Sequence, residues 1–552
     1  MKLPRDHHHR DLLEVENGIA ATGHPDAARA AVTVMEQGGN AFDAIVAAGF
    51  TACVVEPLSC GIGGHGRLSA RSAQAGRFIT YDFQVRAPAA AHARMFGDPA
   101  RPCEGAMAVG VPGLVAGLCA VHAELGTLPL PTIMAPAIAC AERGYDFNWK
   151  DAMAIALLRD TLAGFPAAAD LLLPGGKSPE VPFMVLKEQS RMDQSGLART
   201  LRRIAGEGAR AFYDGPVARS LAHAVTTAGG IMTEGDLSAY RVRTFDETPQ
   251  HFADLAYVTG DDTIAKEVLS IIHYRLAEFR AGDEATRLHI LGEALALGFA
   301  DGLTFGGDSD HASVPDDGLL DPDYCRERST MIAMDQAIGR PVPAGDPWRY
   351  SRKIARTNRP TPTKATLPGT SHLAVADGAG NVAAATLSVT GAYGSLIYDP
   401  ESGVFLNSSM QNFDARPDHP NAVAPGKMPL FGVPVLTGRQ ATGGILAGAG
   451  AGGLRSGSGV VAALLNRLVL DHDLQTAVSE PRLHSQGRSL LVDDRIADAT
   501  RQRLVALGHT VIPLPEAPTR LNFSRVGFVE KSADGLLRAG AAPLGHTAVA
   551  GF

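Results

Sequence analysis

Gly369-Thr370-Ser371-His372-Leu373-Ala374-Val375-Ala376-Asp377-Gly378-Ala379-Gly380-Asn381 is the stretch that decides how this chain is read. Two apolar runs of period 2, 372–377 and 382–390, flank Gly378-Ala379-Gly380-Asn381, whose residues suit a hairpin turn. A threonine stands at the head of the first run, directly after a glycine. A threonine hydroxyl is a weak nucleophile unless a base lies beside it, and one solution is the residue's own α-amino group. That solution requires the chain to be cut before Thr370, leaving an amine of pKa about 8 as the base. Gly369, without a Cβ, permits the contorted backbone such a self-cleavage needs. The bland reading makes Thr370 an ordinary strand residue.

Outward from this hairpin the pattern divides. Towards the N-terminus, small-residue helices alternate with glycine turns: 25–37 stopped by Gly38-Gly39, 41–55 ended by Glu56-Pro57, then 111–124 and 132–143. Short alternating runs between 67 and 83 read as strands. Amphipathic patterns over 262–281 and 284–300 predict a helical block, and 305–368, rich in Pro, Asp, Gly and Arg, reads as a flexible, exposed connector. After 370 strands dominate, with a helix over 457–469 and strands near 489–493, 510–514 and 524–530. Early helices, a cuttable connector and a strand-rich tail predict an α+β fold, one αββα sandwich assembled from both halves. A large fragment, 1–369, and a small one, 370–552, then form a single domain.

The 552 residues, 45% hydrophobic, supply a large core, and a net charge of −8 with no basic run argues against a nucleic-acid partner. No stretch of 18 uncharged apolar residues predicts a membrane span, and the polar opening is no secretory signal. Six cysteines without Cys-x-x-Cys spacing read as reduced, which places the protein in the cytoplasm. His7-His8-His9 reads as a solvated tail before it reads as a metal tract. Gly448-x-Gly450-x-x-Gly453, with Asp471 beyond, imitates a dinucleotide fingerprint. The following helix, however, leaves no room for the strand that should carry the acid.

Several motifs together resemble the γ-glutamyltranspeptidase family of N-terminal-nucleophile hydrolases. They are Ala21-Thr22-Gly23-His24-Pro25 with Gly38-Gly39-Asn40-Ala41-Phe42-Asp43-Ala44, Val55-Glu56-Pro57 before Gly61-Ile62-Gly63-Gly64, and Ala108-Val109-Gly110-Val111-Pro112-Gly113. Thr370-Ser371-His372 and Gly452-Gly453 with Arg455 complete the order. The resemblance implies an autoprocessed amidohydrolase without metal or cofactor, cut between Gly369 and Thr370, whose partners are a small-molecule amide and its own other fragment. It implies Thr370 as nucleophile, Ser388 as a second hydroxyl beside it, and Gly452 and Gly453 as backbone donors to the oxyanion.

The same comparison shows where this chain departs from the family. An arginine that holds the substrate carboxylate is here Gln84, with Arg86 two residues on as a candidate replacement. An aspartate that holds the α-ammonium is Asn412, close to Ser409. Paired serines become Phe431-Gly432, an asparagine becomes Thr390, and His65 stands where glycine is usual. Changed recognition around a kept nucleophile points to an acyl donor without the α-ammonium, glutaryl-type or oxamate-like. The alternatives are a true γ-glutamyltransferase or glutathione hydrolase, or a binding protein that has lost its chemistry.

Overall fold

The computed structural model describes residues 11–96, 103–181, 188–353, 368–517 and 522–552. The His7–His9 tract and residues 354–367 of the expected connector lie outside them.

Fourteen strands build two seven-stranded sheets. In chain order they are β1 (Leu13–Val15), β2 (Gly18–Thr22), β3 (His65–Arg71), β4 (Phe78–Phe83), β5 (Arg243–Asp246), β6 (Gln250–Phe252) and β7 (Leu255–Val258). Then follow β8 (Pro368–Asp377), β9 (Val382–Gly391), β10 (Val435–Gln440), β11 (Ile445–Ala451), β12 (Arg525–Lys531), β13 (Leu537–Ala541) and β14 (Ala548–Gly551). One sheet runs β14-β2-β8-β9-β3-β4-β5, the other β1-β13-β12-β11-β10-β7-β6. Each mixes strands from before and after residue 370, so neither half closes a sheet alone.

The hairpin β8–β9 sits at the centre of the first sheet as the alternation predicts. Gly380 takes a left-handed φ of 91° in the turn, and Asn381 donates through its backbone and side chain to Asp377 (2.9 and 2.8 Å). Asp377 also accepts the amide of Ala41 at 2.9 Å, where helix α2 begins. The hairpin tip is thereby fastened to a helix start, where a carboxylate is favoured by the unsatisfied amides.

Helices α1 (Pro25–Glu36), α2 (Ala41–Val55), α3 (Leu114–Leu125), α4 (Leu130–Arg143) and α5 (Ser195–Glu207) cover the first sheet. Asn40 caps α2 in a reciprocal box with Asp43. All of α2 is buried, consistent with its lack of a polar face. Helices α6 (Thr263–His273), α7 (Glu284–Phe305) and α8 (Arg455–Leu468) cover the other sheet. By length and composition α7 could cross a membrane, but here it is a core helix, mostly buried inside the fold.

Between the sheets lies a thin layer dominated by alanine: Ala21, Ala374, Ala376, Ala384, Ala447, Ala449 and Ala539, with Ile19, Val435 and Val529. Leu373 and Val375 of the hairpin instead face the helices. Period 2 therefore puts Thr370 and His372 on the inter-sheet face. The four expected layers are present.

The exposed connector expected over 305–368 is not what 305–353 forms. Asp316–Leu319 and Pro322–Thr330 are helices, and Phe305, Leu319 and Tyr324 make a small core of their own. Its anchor is Asp301 of α7, buried completely. Asp301 pairs with Arg328 at 2.9 Å and accepts from the Tyr324 hydroxyl and the Gly345 amide, each at 2.7 Å. Prolines and charges here mark turns and buried pairs, not exposure. Among the described residues no cysteine forms a disulfide, and apart from the half-buried Cys119 all are buried.

Arg328→Met should strand the Asp301 charge. Breaking a buried pair by removing one partner costs about 3–5 kcal/mol, to be read as a loss of unfolding free energy in urea.

Candidate active site

Thr370 is 3% exposed and opposes Ser388 directly across the hairpin, with the register slipping by one residue between Gly369 and Thr370. The hairpin's regular register, unbroken from Ala376 and Val382 to this pair, brings two hydroxyls together beside the bulge. Thr370 Oγ1 lies 3.3 Å from Ser388 Oγ, and Ser388 Oγ donates to the Gly369 carbonyl at 2.6 Å. The amide of Thr390 donates to Ser388 Oγ at 2.9 Å, fixing its orientation. A hydroxyl therefore polarises the carbonyl immediately before Thr370, while the Thr370 hydroxyl sits beside it. Gly369 is required for a reason other than the expected one. Its φ is not left-handed, but a Cβ there would stand 2.4 Å from the Gly391 carbonyl oxygen and 2.9 Å from that of Leu58.

Thr370 is also held from behind. Arg525 at the start of β12 donates to the Thr370 carbonyl at 3.2 Å. On the helix side, Ser371 donates a short hydrogen bond to Glu56 at the end of α2. Neither contact was read from the sequence, although Glu56 stood in one of the matching motifs.

Gly452 and Gly453 form the turn from β11 into α8, at φ 144° and 59°. A left-handed φ at both positions restricts them to glycine. Their carbonyls accept the amides of Arg455 and Ser456 (3.3 and 2.9 Å), whereas no hydrogen bond among the described residues takes up their own N–H groups. Two free amides at a helix N-terminus make a fitting seat for a developing anion. The dinucleotide imitation fails here, because β11 is antiparallel to both neighbours and Asp471 lies exposed beyond α8.

Five of the recognition positions form two connected groups. Thr390, at φ 74°, bonds to Ser409 Oγ at 2.6 Å and to His65 Nε2 at 3.2 Å. The His65 ring meets the Phe431 ring edge-on at 4.9 Å. Phe431, Gly432 and Gln84 then line a cleft with Arg67, Arg243 and Asp262. Gly432 lies between Leu454, next to the Gly452-Gly453 turn, and Asp262. Gln84 is buried with its Oε1 unpartnered. Asn412 ends a short 3-10 turn, is half-buried, and its carbonyl accepts from Asn421.

Arg86 does not join them. The strand β4 ends at Phe83, Arg86 is absent from the cleft lining, and its guanidinium lies 3.7 Å from the fully buried Asp308 carboxylate. The cleft's own cations are Arg67 and Arg243, both 3.2 Å from the same Asp82 oxygen. Sequence reasoning missed both arginines and Asp262. A signal existed in β3, where Arg67, Ser69 and Arg71 alternate with apolar or small residues and so share one face.

One group among the described residues has the types a metal needs: His289, Glu293 and His509. Its two histidines are already engaged with each other, and Glu293 accepts from Arg340 and from the Ile338 amide. Arg340, a donor only, sits 3.2 Å from His509 Nδ1, so His509 Nε2 carries the proton given to His289 Nδ1 at 2.7 Å. His289 Nε2 then donates to the Ala333 carbonyl at 2.8 Å. This is a satisfied hydrogen-bond chain with a guanidinium alongside, joining residues from before and after 370.

Comparison with known proteins identifies the family and the fold. The Gamma-glutamyltranspeptidase family description matches residues 27–552. The glutathione hydrolase proenzyme of Bacillus subtilis (strain 168) is 32% identical over 526 residues, 92% of this chain and 88% of the relative. The acylase ACY 1 proenzyme of Pseudomonas sp. (strain V22) is also 32% identical, over 92% of this chain and 89% of its own. The crystal structure of cephalosporin acylase from Bacillus halodurans superposes with a TM-score of 0.85 at 26% identity, covering 99% of this chain and 97% of that one.

His65 supplies a pH test of the site's packing. Burial holds its imidazole down at about 3 from an ordinary 6.5, against the opposing pull of Asp82. Between those values the unfolded chain binds a proton that the folded one refuses, so His65 contributes stability above pH 6.5 and loses it towards pH 3. The slope is about 1.4 kcal/mol per pH unit. His65→Gln should flatten the acid side of the stability profile by that amount in urea titrations at pH 7, 6 and 5.

Proposed function

We propose that this chain, which belongs to the γ-glutamyltranspeptidase family, cuts itself before Thr370 and hydrolyses amides through a threonyl acyl-enzyme. The observation that carries the reading is the hydroxyl pair on the Gly369 carbonyl: Thr370 Oγ1 beside Ser388 Oγ, with the latter donating at 2.6 Å. In the uncut chain Thr370 Oγ1 attacks the Gly369 carbonyl carbon and the peptide C–N bond breaks. Water then hydrolyses the resulting ester, leaving the Gly369 carboxylate and a free Thr370 amine. In turnover that amine takes the proton from Oγ1 as it attacks the substrate carbonyl. The oxyanion meets the free amides of Gly452 and Gly453, the amine returns the proton to the leaving group, and water releases the acyl group.

The acyl donor we infer carries a carboxylate and no α-ammonium, as glutaryl-type or oxamate-like amides do. Gln84 and Asn412 are uncharged, and His65 and Phe431 fill space beside Thr390. A γ-glutamyl donor is the second reading. It is favoured by the mixed charge of the cleft, where Arg67 and Arg243 face Asp262.

Three measurements test these statements. The purified protein should run as fragments of 369 and 183 residues, about 39 and 19 kDa by length. Thr370→Ala should stay a single inactive chain, and turnover by it would end the mechanism. Gly452→Ala, whose Cβ would stand 3.0 Å from Ser524 Cα and so displace the amide, should lower kcat per folded molecule by about 10²–10³, the usual effect of losing one oxyanion donor. For substrate, kcat/KM for a glutaryl anilide should exceed that for a γ-glutamyl anilide. The reverse order would establish the second reading.

A further inference from the structure

A second cavity lies on the far side of Arg525, between the helix Leu474–Ser479, the start of β12 and residues 542–544, lined by Arg482, Arg495 and Arg525 among others. Elsewhere in the molecule Arg67, Arg328 and Arg340 each sit within 3.2 Å of a buried carboxylate. Arg482 and Arg525 do not. Arg482 is 9% exposed and spends its donors on two backbone carbonyls, of Ser524 and Val478. Arg525 uses one on the Thr370 carbonyl. Neither has a carboxylate within 4.0 Å among the described residues. Each guanidinium carries five N–H donors, so several remain unspent.

The acids lining the cavity do not fill this need. Asp493 is taken by Arg495, which reaches both of its oxygens (2.6 Å to Oδ2). Glu516 accepts the Phe523 amide, and burial pushes its carboxyl up to about 7. Lys150 adds a further cation beside Arg525, the two side chains flanking Gly545, and the anions acting on Arg525 are Glu56 and Glu516, neither within 4.0 Å of it. Uncompensated buried charge is among the costliest features a fold can carry, and a counter-ion removes the cost.

We propose that this cavity binds a small oxyanion, a carboxylate or an inorganic oxyanion, between Arg482 and Arg525. Planar guanidiniums suit such a ligand because their paired N–H groups match two oxygens at once. Through Arg525 the ligand is one hydrogen bond from the Thr370 backbone. The occupant is either the carboxylate of the substrate, an assignment resting on the amidohydrolase reading above, or a free anion from solution.

Calorimetric titration of the enzyme with sulfate and with oxamate tests this without turnover. Saturable binding of either is expected, weakened at least tenfold in Arg482→Met and unchanged in Arg538→Met, a surface arginine paired with Glu14 and Asp534. Because Arg482→Met also removes two backbone contacts, Ala542→Asp is the second variant. Ala542 lines the cavity and is 2% exposed. A carboxylate built there should raise the melting temperature and abolish sulfate binding. If the substrate's carboxylate is the occupant, sulfate raises KM for a carboxylated amide and leaves kcat alone. If a free anion is the occupant, sulfate binds without changing KM. Absence of saturable binding by both anions, or a lowered melting temperature in Ala542→Asp with sulfate binding intact, overturns the proposal.

Discussion

The hydroxyl of Ser69 meets that of Thr437 at 2.7 Å, and Thr386 reaches the Gly450 carbonyl at 3.3 Å. These bonds cross the gap between the two sheets, and the gap's thinness governs the rest. Alanine is the commonest facing residue, and a Cβ on Gly527 would come within 3.1 Å of the His372 ring. In so thin a layer a buried polar group is costly unless it has a partner. Thr370 and Ser388 hydrogen-bond to each other there, so the position of the proposed nucleophile follows from packing. The layers on either side then hold the backbone, Glu56 through Ser371 from the helices and Arg525 through the Thr370 carbonyl from the second sheet.

What could be read from the sequence was what is local. Alternation over 372–377 and 382–390 gave the hairpin, its face and its turn, since each depends on neighbours a few residues apart. Gly452 and Gly453 were legible because a left-handed turn before a helix leaves few other choices. The offset from Thr370 to Ser388 was not decisive alone, for it gives the pairing only if the register stays regular from the turn to Thr370, and the bulge begins at the very next residue, Gly369. Arg86 illustrates the limit. Two residues from Gln84, it looked available, but Asp308, more than two hundred residues away, claims it. No pattern in the chain announces that pair. Arg243 escaped notice for the same reason, entering the cleft from a strand remote in sequence.

Composition misled over 305–353 because proline, aspartate and arginine serve two ends. Such residues solvate an exposed connector, and they also punctuate a compact one whose charges are neutralised in pairs. Arg328 against Asp301 decides for the second. The same criterion separates Arg328 from Arg482: both are buried, but only one has an anion opposite it.

The hydroxyl of Ser388 faces a change of partner that the uncut chain makes visible. While the Gly369 carbonyl is present, the single Ser388 proton is committed to it, and Thr390 and Thr370 both offer their protons to the Ser388 oxygen. If the chain is cut before Thr370 as proposed, loss of that carbonyl frees one donor at the place where a new amine appears. A hydroxyl can turn from donating to a carbonyl to donating to an amine by rotating one bond, with no backbone movement. A single buried serine thus suits both the cutting of the chain and the chemistry that follows. Its neighbour Thr390, fixed by Ser409 and His65, keeps it from turning elsewhere.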